Sequence, residues 1–131
     1  MVIDASIALK WLVPEPDSES ARAWIGRTEL LAPALIHIEA ANVLWRLVRR
    51  GDILEEGAAS RLARLPSLVR TIDDAPLVRL AFDLAVQLSH PFYDCVYLAA
   101  AEALDDELLT ADARFLNALE GTEQMKRVRL L

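Results

Sequence analysis

Met1-Val2-Ile3-Asp4-Ala5-Ser6-Ile7-Ala8-Leu9-Lys10-Trp11-Leu12-Val13-Pro14 opens the chain, and its reading decides the fold. Three apolar residues run into an acid, so Met1–Asp4 reads as a short strand. Ala5–Val13 then reads as a helix, stopped by Pro14 and Pro16, whose rings block helical continuation. The same strand-then-helix unit recurs down the chain. Asp17 or Ser18 caps a second helix through Ile25, ending at Gly26. Leu30–Ala32 is a strand, and Pro33 opens a long helix to about Arg50, closed by Gly51. In that helix Ile36, Ala40, Val43, Leu44 and Leu47 form a stripe at helical spacing.

Glu55–Leu65 reads as a further helix, ending near Pro66, and Leu68–Ile72 as a strand closed by Asp73-Asp74. Leu77, Leu80, Ala81, Leu84, Ala85 and Leu88 stripe the helix after Pro76, and Pro91 precedes a helix from about Tyr93 to Leu104. Glu107–Thr110 is a strand, Ala111–Leu119 a short helix and Arg127–Leu130 a last strand. Short apolar strands separated by helices require crossover connections, hence a parallel sheet. The right-handedness of such crossovers puts helices on both faces. The expected architecture is one α/β domain over residues 1–131, three layers (α/β/α) around a parallel sheet of about five strands. Ligands of such sheets bind at the carboxyl ends of the strands.

The bulk properties agree. Of 131 residues, 54% are hydrophobic and 26% charged, which excludes a disordered chain and supplies enough apolar side chains for a doubly covered sheet. The apolar excess also leaves surface for a partner. A net charge of −6 argues against a general nucleic-acid binder with a basic face, but not against an enzyme whose acids surround cations. Cys95 is the single cysteine and has no internal disulfide partner. Its apolar neighbours make it a buried, inert thiol. No apolar run approaches the ~20 residues of a membrane span, and Met1-Val2-Ile3 lacks the basic start of a signal peptide. The expected location is the cytoplasm, with no membrane partner.

Four acids fall where that architecture places ligands. Asp4 closes the first strand, and Asp112 lies just past Leu108-Leu109-Thr110. Asp94 sits in the first turn after Pro91, and Glu39 borders the apolar stripe between Ile36 and Val43. Taken singly, Asp4, Asp94 and Asp112 are equally well explained as helix N-caps, and Glu39 as a partner of Arg46. Taken together, carboxylates meeting at one sheet edge repel one another unless some are protonated or a cation holds them. Oxygen donors without His or Cys select a hard ion, Mg²⁺ or Mn²⁺. Such an ion polarises a phosphate and activates water, which makes phosphodiester hydrolysis the natural reaction. His37 and His90 stand in no motif and read as surface or packing residues. Trp11, Trp24 and Trp45 read as core or dimer-interface residues. Ser6 lacks a nucleophile-elbow pattern, and the four glycines form no phosphate loop.

Val2-Ile3-Asp4-Ala5-Ser6, Glu39-Ala40-Ala41-Asn42-Val43-Leu44, Tyr93-Asp94-Cys95-Val96-Tyr97-Leu98-Ala99 and Leu109-Thr110-Ala111-Asp112 resemble, in order, the four acidic blocks of PIN-domain nucleases. The chain most resembles the VapC-type toxins of toxin–antitoxin pairs. This resemblance implies an endoribonuclease dependent on Mg²⁺ or Mn²⁺, in which Asp4, Glu39, Asp94 and Asp112 hold the metal and carry catalysis. It implies pocket support from Ser6, Asn42 and Thr110. It also implies a homodimer neutralised by a cognate antitoxin. RNA needs basic contacts, for which Lys10, Arg46 and Arg114 are the candidates near the acids, with Arg49 and Arg50 as solvated surface.

Two other readings compete. In a receiver-like signalling domain Asp73 would accept phosphate, with Thr110 and Lys126 nearby. That reading wants paired acids after the first strand, where Ala5 follows Asp4, and gives Glu39 and Asp94 no task. The second is a binding module that keeps the fold without catalysis.

Overall fold

The computed structural model describes residues 1–131. Five strands, β1 (Val2–Ile3), β2 (Leu31–Pro33), β3 (Arg70–Ile72), β4 (Leu108–Thr110) and β5 (Val128–Leu130), form one sheet in the order β3-β2-β1-β4-β5. Every pairing is parallel, with Val2 opposite both Leu31 and Leu108, and Ile3 opposite Leu109. The helices are α1 (Ala5–Leu12), α2 (Ser18–Arg22), α3 (Leu35–Arg49), α4 (Glu55–Arg64), α5 (Val78–Leu88), α6 (Phe92–Ala103) and α7 (Ala113–Ala118). None is long and apolar enough to cross a membrane.

Direction along the sheet decides which face each helix covers. The steps β1→β2 and β2→β3 run one way, so right-handed crossovers put α1 to α4 on one face. The step β3→β4 runs back across the sheet and moves α5 and α6 to the other, where α7 follows. Contacts agree: α1 packs on α2 and α3, α3 on α4, α5 on α6, and α6 on β1 and β2. Strand order reverses at β1, and the carboxyl ends of β1 and β4 are where sheets of this kind bind ligands.

The edge strands β3 and β5 carry the exposed Arg70, Thr71 and Arg129, whereas the central strands, covered on both faces, are largely apolar, with Val2, Ile3, Leu108 and Leu109 fully buried. Each such Leu or Ile contributes about 1.5–3 kcal/mol by leaving water. Helix α6 is buried from Cys95 through Ala101. Its small Ala99, Ala100 and Ala101 let the backbone lie close to the sheet.

Four local expectations need correction. Pro33 closes β2 instead of opening the long helix, which starts at Leu35. β1 pairs with β2 only at Val2–Leu31, so no ladder donor is required on that side at Pro33. The second helix ends at Arg22, short of Ile25, and Asp17 makes no capping bond. The Ser18 hydroxyl instead donates to the Val13 carbonyl and accepts from the Glu15 N–H, tying the loop after α1. Finally, β3 starts at Arg70 rather than Leu68, and α7 at Ala113 rather than Ala111, because Asp112 is its N-cap.

The receiver-like reading fails on topology. Receiver domains share a doubly wound order in which the third strand lies beside the first. Here β3 is an edge strand separated from β1 by β2. Asp73 accepts the Ala75 N–H as an ordinary turn residue.

Candidate active site

Asp4 is the centre of the site because two requirements meet there. It ends β1 in extended conformation, so its side chain caps α1: Oδ1 accepts from the N–H groups of Ser6 (3.0 Å) and Ile7 (3.3 Å). It also faces β4, where the Thr110 hydroxyl donates to Oδ2 at 2.5 Å. The Ser6 hydroxyl completes the cradle, donating to Oδ1 at 2.5 Å and accepting the Ala111 N–H at 2.8 Å. Oδ1 is thereby saturated, while Oδ2 accepts one bond and keeps a lone pair. Capping thus accounts for Oδ1, while Oδ2 is left with acceptor capacity toward a ligand.

Asp4 is only 8% exposed. Burial, aided by the negative charge of Asp94, pushes its carboxyl up to about 6 against the pull of the Ser6, Thr110 and Ile7 bonds. Glu39, half-buried on α3, is likewise raised by burial and by Asp94, opposed by its hydrogen bond from Tyr97. That phenol, 1% exposed on α6, donates to Glu39 Oε2 at 2.5 Å and bridges the two helical layers. Burial, then the bond and charge of Glu39, hold the Tyr97 hydroxyl far above the ordinary phenol range. Burial and Asp94 push the Cys95 thiol to about 11, so it stays unreactive as expected.

Asp94 occupies the third position of α6, after an N-cap that is Pro91, so it is no cap. Its Oδ2 lies 2.8 Å from His90 Nε2. Sequence reading set His90 aside, and did not find the Tyr97–Glu39 bond. Asp112 caps α7, with Oδ1 accepting from the Arg114 N–H at 2.9 Å and from its guanidinium at 3.4 Å. Its own N–H donates to Thr110 Oγ1 at 3.0 Å, so one threonine links Asp112 to Asp4.

The expected supporting residues fall on both sides of this geometry. Ser6 and Thr110 hold Asp4 directly, whereas Asn42 is exposed on α3, one turn beyond Glu39. Among the basic candidates, only Arg114 touches one of the acids. The Lys10 ammonium turns to the Pro16 carbonyl (2.6 Å) and Glu15, at the opposite end of α1 from Asp4. Arg46 does not pair with Glu39. It lines a cavity of about 550 Å³ between the end of α1 and the C-terminal half of α3, together with Val13, Val43, Trp45, Arg49 and Arg50. None of the four acids lines that cavity. Trp11 is a core residue and donates to the Ala21 carbonyl, Trp24 is half-buried, and Trp45 is 53% exposed with Arg49 over its ring.

Neither Asp4 nor Glu39 has an ion-pair partner, although Asp4 is buried, Glu39 is half-buried and both feel Asp94. Acids crowded without a protein cation have the chemistry of a hard-cation site. No three His, Cys, Asp or Glu side chains converge closely enough to grip one ion between them. That spacing still fits Mg²⁺, which keeps several waters and takes only one or two carboxylates directly.

Comparison with known proteins decides the family. The PIN-domain family profile matches residues 1–119. The chain belongs to the PIN-domain family. Among curated relatives, this PIN domain is 34% identical to Ribonuclease VapC3 of Pyrobaculum aerophilum over 116 residues, 86% of this chain and 88% of that protein. It is 32% identical to Exonuclease VapC9 of the same organism, over 75% of this chain and 74% of the relative. Among solved structures, PAE2754 from Pyrobaculum aerophilum superposes with a TM-score of 0.73 at 28% identity, covering 92% of this chain and 80% of that one. The PIN domain is thus a VapC-type member, with Asp4 and Asp112 following the neighbouring strands β1 and β4.

Proposed function

We infer that the chain is a metal-dependent endoribonuclease, the toxin of a toxin–antitoxin pair. VapC-type membership supports the ribonuclease activity. The observation that carries the assignment to this pocket is Asp4: buried, bonded by four donors, lacking a protein cation and electrostatically coupled to Asp94.

Asp4, Glu39 and Asp94 would hold Mg²⁺ or Mn²⁺ between them, one or two directly and the rest through its waters, with Asp112 at the rim. A bound ion supplies a Lewis acid for the phosphate and a means of activating water. The chain's own residues do the rest. Ser6 and Thr110 fix Asp4 so that one Oδ2 lone pair remains available. Tyr97 holds one Glu39 oxygen and leaves the other free. Arg114, whose side chain is 92% exposed beside Asp112, is placed to meet a phosphate, and Arg46 and Lys10 offer positive charge farther out.

Purified protein treated with EDTA is expected to leave RNA intact, and added Mg²⁺ or Mn²⁺ to restore cleavage. A circular RNA distinguishes the modes of attack. An endonuclease linearises it, whereas degradation of linear RNA beside intact circles would reassign the protein as an exonuclease. Intact RNA of both forms under every ion would leave only a binding module.

A homodimer is the expected assembly, and an uncovered face supports it. Val78, Phe82 and Val86 repeat every four residues along α5 and are 47%, 57% and 64% exposed, with Tyr93 nearby on α6 at 58%. An apolar stripe of this kind suits a second copy of the chain. Phe82→Glu is expected to convert a dimer into a monomer in light-scattering measurements. A monomeric wild type, or a variant still dimeric, would remove this face from consideration. A cognate antitoxin is the second partner, and the cytoplasm is the compartment in which it and RNA would both be met.

A further inference from the structure

We propose that His90 is the positioning residue for Asp94. It supplies one oxygen of that carboxylate with a hydrogen bond, so that the other faces the divalent ion. The inference rests on the metal-dependent reading of the pocket and adds to it a residue outside the four acidic blocks.

The start of α6 carries the argument. Asp94 occupies the third helical position, where a carboxylate commonly reaches back to the backbone N–H of the N-cap residue. Here the N-cap is Pro91, which has no N–H. Asp94 is thereby freed from the usual capping task, and the preceding residue provides the missing hydrogen through its side chain: His90 Nε2 lies 2.8 Å from Asp94 Oδ2.

The imidazole is held from two other directions. Its ring stacks on Phe115 of α7, with centroids 4.8 Å apart and planes 24° from parallel, and Phe115 is 2% exposed. Its backbone is set by Ser89, which ends α5 at φ 49°, a left-handed conformation unfavourable to residues other than glycine. That turn brings the His90 N–H to the Ala85 carbonyl at 3.2 Å. The His90 side chain is 13% exposed, against 40% for Asp94. The donor is thus anchored while the acid faces outward. The stacked ring also ties Asp94 to α7, the helix that Asp112 caps.

A merely structural ion pair would steady α6 without affecting the ion, so the test reads ion affinity. Mn²⁺ is titrated into the EDTA-treated, desalted full-length chain, and free Mn²⁺ is followed by its paramagnetic resonance signal. His90→Phe keeps a flat ring on Phe115 but has no hydrogen to give. Its affinity should fall roughly 10–100-fold, the usual effect of losing a hydrogen-bond partner of a metal ligand, with the ion-free thermal midpoint within a few degrees of wild type. His90→Gln presents an amide N–H at a similar reach and should recover most of the affinity. Wild-type affinity in His90→Phe, or equal weakening in both variants, would overturn the positioning role while leaving the metal site in place. Absence of Mn²⁺ binding by the wild-type chain would overturn the site and the positioning role together.

Discussion

Asp94→Asn is expected to lower RNA cleavage roughly 10²–10³-fold or more and to leave the protein folded. Losses of that size accompany removal of one preorganised electrostatic group from a reacting phosphate or carbonyl site. Asp94 is the acid whose charge both Asp4 and Glu39 feel, so neutralising it weakens the hold of all three on a cation. Folding does not depend on that charge. The side chain is 40% exposed, and an asparagine oxygen can still receive the His90 bond. Single-turnover cleavage, with circular dichroism as the folding control, tests the expectation. In cells the wild-type chain should arrest growth unless its antitoxin is co-expressed, and Asp94→Asn should not. Cleavage by the variant at wild-type rate would remove Asp94 from the site.

Asp4→Asn has the second large effect, and its two consequences have opposite signs. Cleavage disappears, because the central carboxylate is gone. Stability of the ion-free protein rises near neutral pH. The Asp4 carboxyl is raised from 3.8 to about 6 on folding, so the folded state disfavours its charged form relative to the unfolded chain. The associated stability is fully present below about pH 4 and is lost as pH rises through about 6. Glu39, raised for similar reasons, adds in the same direction.

The ion-free wild type is therefore expected to melt lower at pH 7.5 than at pH 5, with Mg²⁺ restoring the difference. Asp4→Asn should lack most of that slope and be more stable than wild type at pH 7.5 by about 1–3 kcal/mol. The asparagine oxygen keeps the cap to Ser6 and Ile7, and the Thr110 hydroxyl can rotate to accept its amide. A variant less stable than wild type at pH 7.5 without metal would show that the Asp4 charge is already compensated inside the protein.

The acids at the strand ends were legible because each closes a short apolar run or opens a helix, and parallel topology then carries them to one edge. Asp4 and Asp112 could be placed by this reasoning alone, since β1 and β4 are neighbours. What escaped was what holds them. Tyr97 meets Glu39 across 58 residues of sequence and two helical layers, a contact that no local pattern encodes. His90 had a usable signal: it lies four residues before Asp94, with a proline at the cap between them. Read as a lone histidine without a motif, it was passed over. Pro33 misled because proline favours helix starts in general, whereas the ladder it joins is incomplete on one side. Among the basic candidates, Arg46 rests on its helix face, and Lys10 and Arg114 on nearness in sequence. Lys10 shows the weakness of that choice, since a side chain six residues along a helix sits about 9 Å away at the opposite end.

Thr110 donates to Asp4 across 106 positions of the chain, and Ser6 receives the Ala111 N–H across nearly as many. During synthesis the first residue of the pocket therefore leaves the ribosome long before the ones that steady it. A nascent chain still lacking β4 has no neighbour for β1 on that side and no hydroxyl for the second Asp4 oxygen. The strand order itself therefore withholds the complete Asp4 cradle until β4 has been made and has paired with β1.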